Sequence, residues 1–413
     1  MSFRLEKFDL YLCNLANMKL DVIVWGATGF TGRLVVEYLS KVSANFGIAG
    51  RNKEKLLEIS KELSINVPIF VSDFDNIKDL EQIVKSTKVV LSAVGPYSRF
   101  GLDIVECCVR LKTDYVDLCG ELDFILEIIE KFHTKAAENN VLIVPSCGFD
   151  SIPSDMGTFM LANHFKKNGL SLDNVRCSLW DAKGSGVSGG TIASAINLFE
   201  SKPYSSILSI ASKPDFLCPN MDTNSKTWKG NFLFYYDEGL QKWQAPFLME
   251  LINMRTVRRS NYLLNYGPNF NYCEGTASSN IFSAALISMA SNMVTLSLIL
   301  PPFRWLLSKI FPAGSGPSKE KRLNGSFKIK LFGEAIDENG EKISAIVDVE
   351  GKGDPGYGET AKMVSESALC LALNRKDCHD QGGFKGGVVT PAASMGNVLI
   401  ERLRAAGMVF KIK

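Results

Sequence analysis

The feature that most constrains this chain is Gly26-Ala27-Thr28-Gly29-Phe30-Thr31-Gly32, set between an apolar run, Leu20 to Trp25, and a helical pattern, Phe30 to Lys41. Glycines at this spacing, directly after a buried strand and opening a helix with no charge before Arg33, suit a backbone that wraps a phosphate. Gly26 permits the tight turn, Gly29 lets the backbone approach a pyrophosphate, and Gly32 allows helix and strand to pack closely. The helix N-terminus adds free N–H groups and a partial positive charge. Thr28, Phe30 and Thr31, in the same turn, join the three glycines as expected cofactor contacts.

From Lys19 onward, short apolar runs alternate with helical patterns, the rhythm of a parallel sheet with helices on its faces. Strands are predicted at Leu20–Trp25, Ala44–Ala49, Val67–Val71, Lys88–Ala93, Asp114–Leu118 and Val141–Val144. Helices are predicted at Phe30–Lys41, Lys53–Leu63, Asn76–Lys85, Gly101–Leu111 and Asp123–Asn139. Such a series makes a doubly wound α/β domain, a Rossmann sheet ending near Pro145. Beyond it, Gly184 to Gly190 is rich in glycine and serine and precedes a helical pattern at Thr191 to Glu200. Asn231–Tyr236, Phe327–Phe332 and Lys342–Glu350 alternate as antiparallel strands do, which implies a second, mixed α+β domain. The expected division is an N-terminal extension over 1–17, a dinucleotide-binding domain over 18–150, and a substrate or dimerisation domain over 151–390. A chain of 413 residues exceeds one ordinary core, in keeping with more than one domain.

Composition narrows the partners. A net charge of +2, with 46% hydrophobic and 22% charged residues, describes a globular chain with no general pull toward nucleic acid, which is not an expected partner. Ten cysteines without C-x-x-C spacing, and only His133, His164 and His379 beside them, suggest no metal site and a reducing, intracellular compartment. Arg4 and Lys7 are offset by Glu6 and Asp9, which makes the first seventeen residues a poor secretory signal and a weak mitochondrial leader.

Where NAD-specific domains place an acid after strand two, this chain has Gly50-Arg51-Asn52-Lys53. A guanidinium there pairs in forked geometry with a 2'-phosphate, whereas a carboxylate repels it, so NADP is the expected cofactor. Asp73, after strand three, is an adenine contact, and Ala93 and Gly95, after strand four, line the nicotinamide side of the crevice. Tyr97, Cys147 and Asp150 are the candidate proton donors. Asp150 has a second reading, as the cap of a helix beginning near Pro153. No Tyr-x-x-x-Lys pair follows strand five. Arg255, Arg258 and Arg259 form either an anion site or a solvated face.

The stretch Gly275 to Phe303 carries no charge, and Ile281 to Leu300 is long enough to cross a bilayer. Ser288, Ser291, Asn292 and Thr295 recur at helical spacing as a polar stripe, favouring an interfacial or protein-packed helix over a lone span. Pro301-Pro302 ends that helix, and Phe303, Trp305 and Leu306 follow with Arg304 and Lys309 interspersed, as suits a membrane interface. The alternative is a buried helix pair lining a pocket or a homodimer interface.

Val94-Gly95-Pro96-Tyr97 with Gly101, Tyr115 to Glu121, Cys147 to Asp155, Ser188-Gly189-Gly190-Thr191, Gly353 to Tyr357 and Thr390 to Ala393 together resemble the saccharopine-dehydrogenase-like oxidoreductase family. The resemblance covers nearly the whole chain after Met18. It implies a Rossmann domain, a second domain, and a closing C-terminal helix over Ala393 to Ala406 that packs back on the first domain within 391–413. One bacterial branch reduces lipid intermediates of glycolipid synthesis in trans, and similar animal proteins associate with membranes and lipid droplets. The resulting expectation is an NADP-dependent oxidoreductase acting on a lipid-like small molecule at a membrane or lipid-droplet surface. Two alternatives stand beside it: a non-catalytic nucleotide-binding protein of a lipid surface, and a reductase of an amino-acid-derived imine.

Overall fold

In a computed structural model, residues 19–413 are described, apart from 74–75, 184–195, 198, 201–202, 204–208, 211, 220–232 and 311–317. The glycine and serine cluster at 184–190, most of the helical pattern after it, and the 1–17 extension lie outside the described residues.

The first half follows the predicted alternation. Strands β1 (Leu20–Trp25), β2 (Phe46–Gly50), β3 (Ile69–Val71), β4 (Thr87–Ser92), β5 (Asp114–Asp117) and β6 (Leu142–Val144) run parallel. Between them run α1 (Phe30–Lys41), α2 (Lys53–Glu62), α3 (Ile77–Lys85), the short α4 (Tyr97–Phe100), α5 (Leu102–Leu111) and α6 (Leu122–Glu138). Local chemistry sets the starts of two of these helices. Asn52 accepts a hydrogen bond from the Lys55 amide at 2.8 Å to cap α2, and Asn76 accepts one from Lys78 to cap α3. In β1, Val22 to Trp25 have no solvent exposure, as a strand covered by helices on both faces requires.

After α7 (Ile152–Lys167), the chain enters a mixed sheet with β7 (Asn174–Lys183), β8 (Tyr235–Asp237) and β9 (Lys242–Ala245), then α8 (Glu250–Leu264) and β10 (Asn271–Ser278). The apolar helices α9 (Ile281–Ile299) and α10 (Pro301–Ile310) follow, then α11 (Lys319–Leu323), β11 (Ser326–Ile336) and β12 (Lys342–Gly351). Along β11 every second residue is buried, so one face of the strand packs inward. A π-helical turn at Pro355–Glu359 leads into α12 (Thr360–Asp380), and β13 (Gly387–Val388), α13 (Pro391–Ala405) and β14 (Val409–Ile412) close the chain.

Two departures from the sequence reading come from this last stretch. The first sheet has seven strands, in the order β3-β2-β1-β4-β5-β6-β13, because Gly387 and Val388 pair in parallel with Leu142 and Ile143. A boundary at residue 150 therefore divides the sequence but not the sheet. The C-terminal segment is also more than a helix: α13 stops at Ala405, and β14 pairs antiparallel with β12 at the edge of the second sheet, β14-β12-β11-β7-β10-β9-β8. Helix α12, expected in the second domain, covers the first sheet, packing on β1, β4, β5 and α1. One apolar core runs through both halves, from Val22 and Val24 through Met156 and Leu331 to Val364 and Leu399.

Candidate functional site

The carboxyl ends of β1 to β4 bring the expected cofactor residues to one edge of the sheet. Gly26 stands at φ +92°, and a β-carbon on it would lie 2.6 Å from Val94 Cγ2. A β-carbon on Gly32 would lie 2.1 Å from the Gly26 carbonyl oxygen, so first turn and helix touch through bare backbone. The Gly29 amide donates to Gly26 O at 3.0 Å, closing the turn. Gly29 offers α1 no side-chain cap, and its first turn, with Phe30 and Thr31, contains no acid. That leaves the N-terminal amides and their dipole for an external anion. Thr28 faces the end of β2 beside Gly50, and exposed Arg51 follows directly. Ser72 N donates to Gly50 O at 3.1 Å, which sets exposed Asp73 at the neighbouring strand end. Ala93 N donates to Trp25 O at 2.8 Å, and Gly95 is exposed just beyond. These residues fit a dinucleotide: a glycine cradle that a β-carbon would fill, uncapped helix amides, and a cation at the ribose end.

The three candidate proton donors separate. The Tyr97 phenol is buried, donates to Ser92 O at 3.1 Å and accepts from Leu118 N. It points into the protein, and burial pushes its pKa well up. The Cys147 thiol is likewise fully buried, directed at the Val144 carbonyl at 3.4 Å, with its pKa raised by burial. Neither side chain faces the crevice with a proton to give. Asp150 differs: it is half-buried, none of the described residues hydrogen-bonds its carboxylate, and burial pushes its pKa up to about 6. It does not cap a helix, since α7 begins at Ile152 after Ser151 with no side-chain cap.

Sequence reading missed Glu121. Its carboxylate accepts from Tyr97 N at 2.9 Å, Ser98 N at 3.0 Å and Ser98 Oγ at 2.7 Å, holding the turn after β4. Asn197 Nδ2 donates to the same Ser98 Oγ at 3.2 Å. Only the 24-residue separation in sequence hid this contact, because nothing local marks the two segments as neighbours. Phe30 packs edge-to-face on Tyr357 at 5.1 Å, so the Gly353 to Tyr357 motif abuts the glycine turn.

The arginine cluster is neither an anion site nor a solvated face. Arg255, Arg258 and Arg259 are buried. Arg255 donates to Ile210 O and Leu251 O, Arg258 forks onto Asp215, and Arg259 donates to Leu217 O and Val388 O. Their role is to fasten Ile210, Asp215, Leu217 and β13 to α8.

The family pattern of the saccharopine dehydrogenase NADP binding domain matches residues 22–144, the span of the glycine turn and the first six strands. The chain is 34% identical, over 94% of its length and 96% of the relative's, to a Mycobacterium tuberculosis protein named for trans-acting enoyl reductase activity. It is 32% identical to the trans-acting enoyl reductase of Mycobacterium leprae, over 95% of this chain and 97% of that one. In fold it resembles the saccharopine dehydrogenase (L-Glu forming) of Saccharomyces cerevisiae, with a TM-score of 0.55 at 15% identity, covering 95% of this chain and 99% of that one. With cofactor cradle, sheet order and full-length relatives in agreement, the chain belongs to the saccharopine-dehydrogenase-like oxidoreductases and is an NADP-binding enzyme of that type.

Proposed function

We propose that this enzyme reduces a lipid-like substrate, of the enoyl class named for its relatives, at a membrane surface. The observation that carries this reading is the outward apolar face of α9 and α10 and its link to the crevice. Phe282, Leu286, Met289, Met293, Trp305 and Ile310 are each more than half exposed. The polar groups turn partly inward: Ser288 is buried and Ser291 half-buried, whereas Asn292 and Thr295 stay outside. Arg304 is buried and donates to Phe199 O at 3.2 Å. Two residues earlier, Asn197 holds Ser98 in the turn that follows β4. The apolar face and the crevice are thus joined through one short segment. Lining an internal pocket does not describe such a surface; apolar area of this kind in a folded chain marks an interaction site, with a homodimer interface as the competing occupant. At about 1.5 Å per residue, the 19 residues of α9 nearly match a bilayer's hydrocarbon thickness, and Trp305 with Lys309 suits its boundary.

NADPH, when bound, supplies the hydride. Gly26 to Gly32 would hold the pyrophosphate, Arg51 the 2'-phosphate and Asp73 the adenosine, while Ala93 and Gly95 would set the nicotinamide edge. Asp150 would carry the proton, giving its carboxyl hydrogen to the double-bond carbon next to the one reduced and regaining a proton from solvent. Substrate-dependent NADPH oxidation on vesicle-borne enoyl lipid tests the activity. Flotation with anionic phospholipid vesicles tests the surface, with Leu286→Asp/Met293→Asp as the variant. Loss of flotation at unchanged Tm supports the reading; a dimer that dissociates in the variant, with no flotation by the parent, overturns it.

A further inference from the structure

We propose that Arg322, from the second half of the chain, is a pyrophosphate ligand of the dinucleotide. Its guanidinium lies over the Phe30 ring, 5.7 Å from the centroid, at the first residue of α1. Its backbone is pinned there, because its carbonyl accepts from Asp354 N at 3.0 Å and Phe30 is braced by Tyr357. The position is thus organised before any ligand arrives.

Beyond the Phe30 ring, the guanidinium has no hydrogen-bond partner among the described residues. Its Nε is buried without a hydrogen bond, and no described residue accepts from the group or forms an ion pair with it. Two acids on the facing elements, Glu37 and Asp354, feel its charge but make their hydrogen bonds elsewhere. Glu37 pairs with Lys41 at 2.8 Å, and the Asp354 carboxylate accepts from Tyr357 N at 2.9 Å and Gly358 N at 3.0 Å. An arginine kept from water at Nε and hydrogen-bonded to no described residue leaves hydrogen-bonding capacity unused, which costs stability unless a ligand completes it. A ligand that completes it would be anionic and would lie beside Phe30, the first residue of α1, whose N-terminus no side chain caps. The pyrophosphate is the part of the cofactor that the glycine turn brings there. Lys319 and Lys321, on α11 with Arg322, add positive field to that corner. Arg322 therefore couples the second half of the chain to the cofactor, as Phe30 and Tyr357 couple the folds.

The inference rests on the NADP site, and the test separates the two. NADPH and NADH are titrated into the full-length protein and followed by nicotinamide fluorescence. The variants are Arg322→Met, which keeps the apolar stem on Phe30, Arg322→Lys, and Arg51→Ala. Arg322→Met should raise both dissociation constants by the same factor, about 10-fold or more, with Arg322→Lys intermediate. Arg51→Ala should weaken NADPH alone. The ligand-free Tm of Arg322→Met should match the parent's or exceed it. Equal affinities in parent and Arg322→Met, or a loss confined to NADPH, overturns the proposal; failure of the parent to bind either nucleotide overturns the cofactor site itself.

Discussion

A single methyl group on Gly32 would sit 2.1 Å from the Gly26 carbonyl oxygen, with the carbonyl carbon and the Ala27 Cα close behind. Backbone cannot swing aside as a side chain does, so Gly32→Ala must push α1 off β1. The expected outcome is loss of NADPH binding together with a lower Tm, the overpacking costing roughly 1–3 kcal/mol. Calorimetry and ligand titration on the one variant check both. At Asp150 the prediction concerns pH. A carboxyl of pKa about 6 donates a proton only below that value, so turnover limited by it should fall as pH rises through about 6. Asp150→Asn should reduce kcat and remove that limb; a parent-like profile in the variant would show that the proton comes from elsewhere. The glycine turn and the places of Arg51 and Asp150 just beyond a strand were legible in the sequence, because each is set by its position after that strand. The inward turn of Tyr97 and Cys147 was not, since a side chain's direction depends on which carbonyls the fold places behind it.

Helices and strands came out of the sequence almost residue for residue where local chemistry governs them. The predicted Phe30–Lys41 helix is unchanged, and the Rossmann strands shift by at most two residues at any end. The two-residue β13 carried no usable signal, for its partner is β6, some 240 residues earlier by number, and its support comes from α8. Arg259 provides that support through bonds to Leu217 O and Val388 O. Arg259→Met should therefore lower stability by roughly 2–4 kcal/mol, as two buried acceptors lose their donor, while vesicle flotation stays unchanged. An anion site would give the reverse pattern, a higher KM at constant Tm. The α9 and α10 pair shows the opposite limit of sequence reading. Its length and apolar character were plain, but only the packing revealed which side meets solvent.

Over the whole molecule, the continuous core predicts one cooperative thermal transition rather than two, despite the two sheets. Asp155 illustrates the coupling: from α7 it accepts from Ser260 Oγ on α8 and, at 2.8 Å, from Ala392 N on α13. Burial raises its pKa to about 7, and that of Glu274 to about 7 and Glu250 to about 8, against ordinary values of 3.8 and 4.5. Between those limits the folded chain holds protons that the unfolded chain has released. The contribution of these groups to stability is thus complete below about pH 4 and lost as pH rises through 7 to 8. Tm should decline from about pH 5 to about pH 8, and the decline should be shallower in Glu274→Gln, which cannot ionise. Equal slopes in parent and variant would remove Glu274 from the account.

By itself, the sequence determined the Rossmann half, its cofactor and the family, because strand periodicity, glycine spacing and a cation after β2 act over a few residues each. The tertiary structure decided that Tyr97 and Cys147 turn inward while Asp150 stays half-buried, that three arginines serve as fasteners, and that the C-terminal segment completes both sheets. It also set Arg322 against the glycine turn. Those outcomes depend on contacts between residues tens to hundreds of positions apart, whose partners are chosen by burial and by the hydrogen bonds that burial demands.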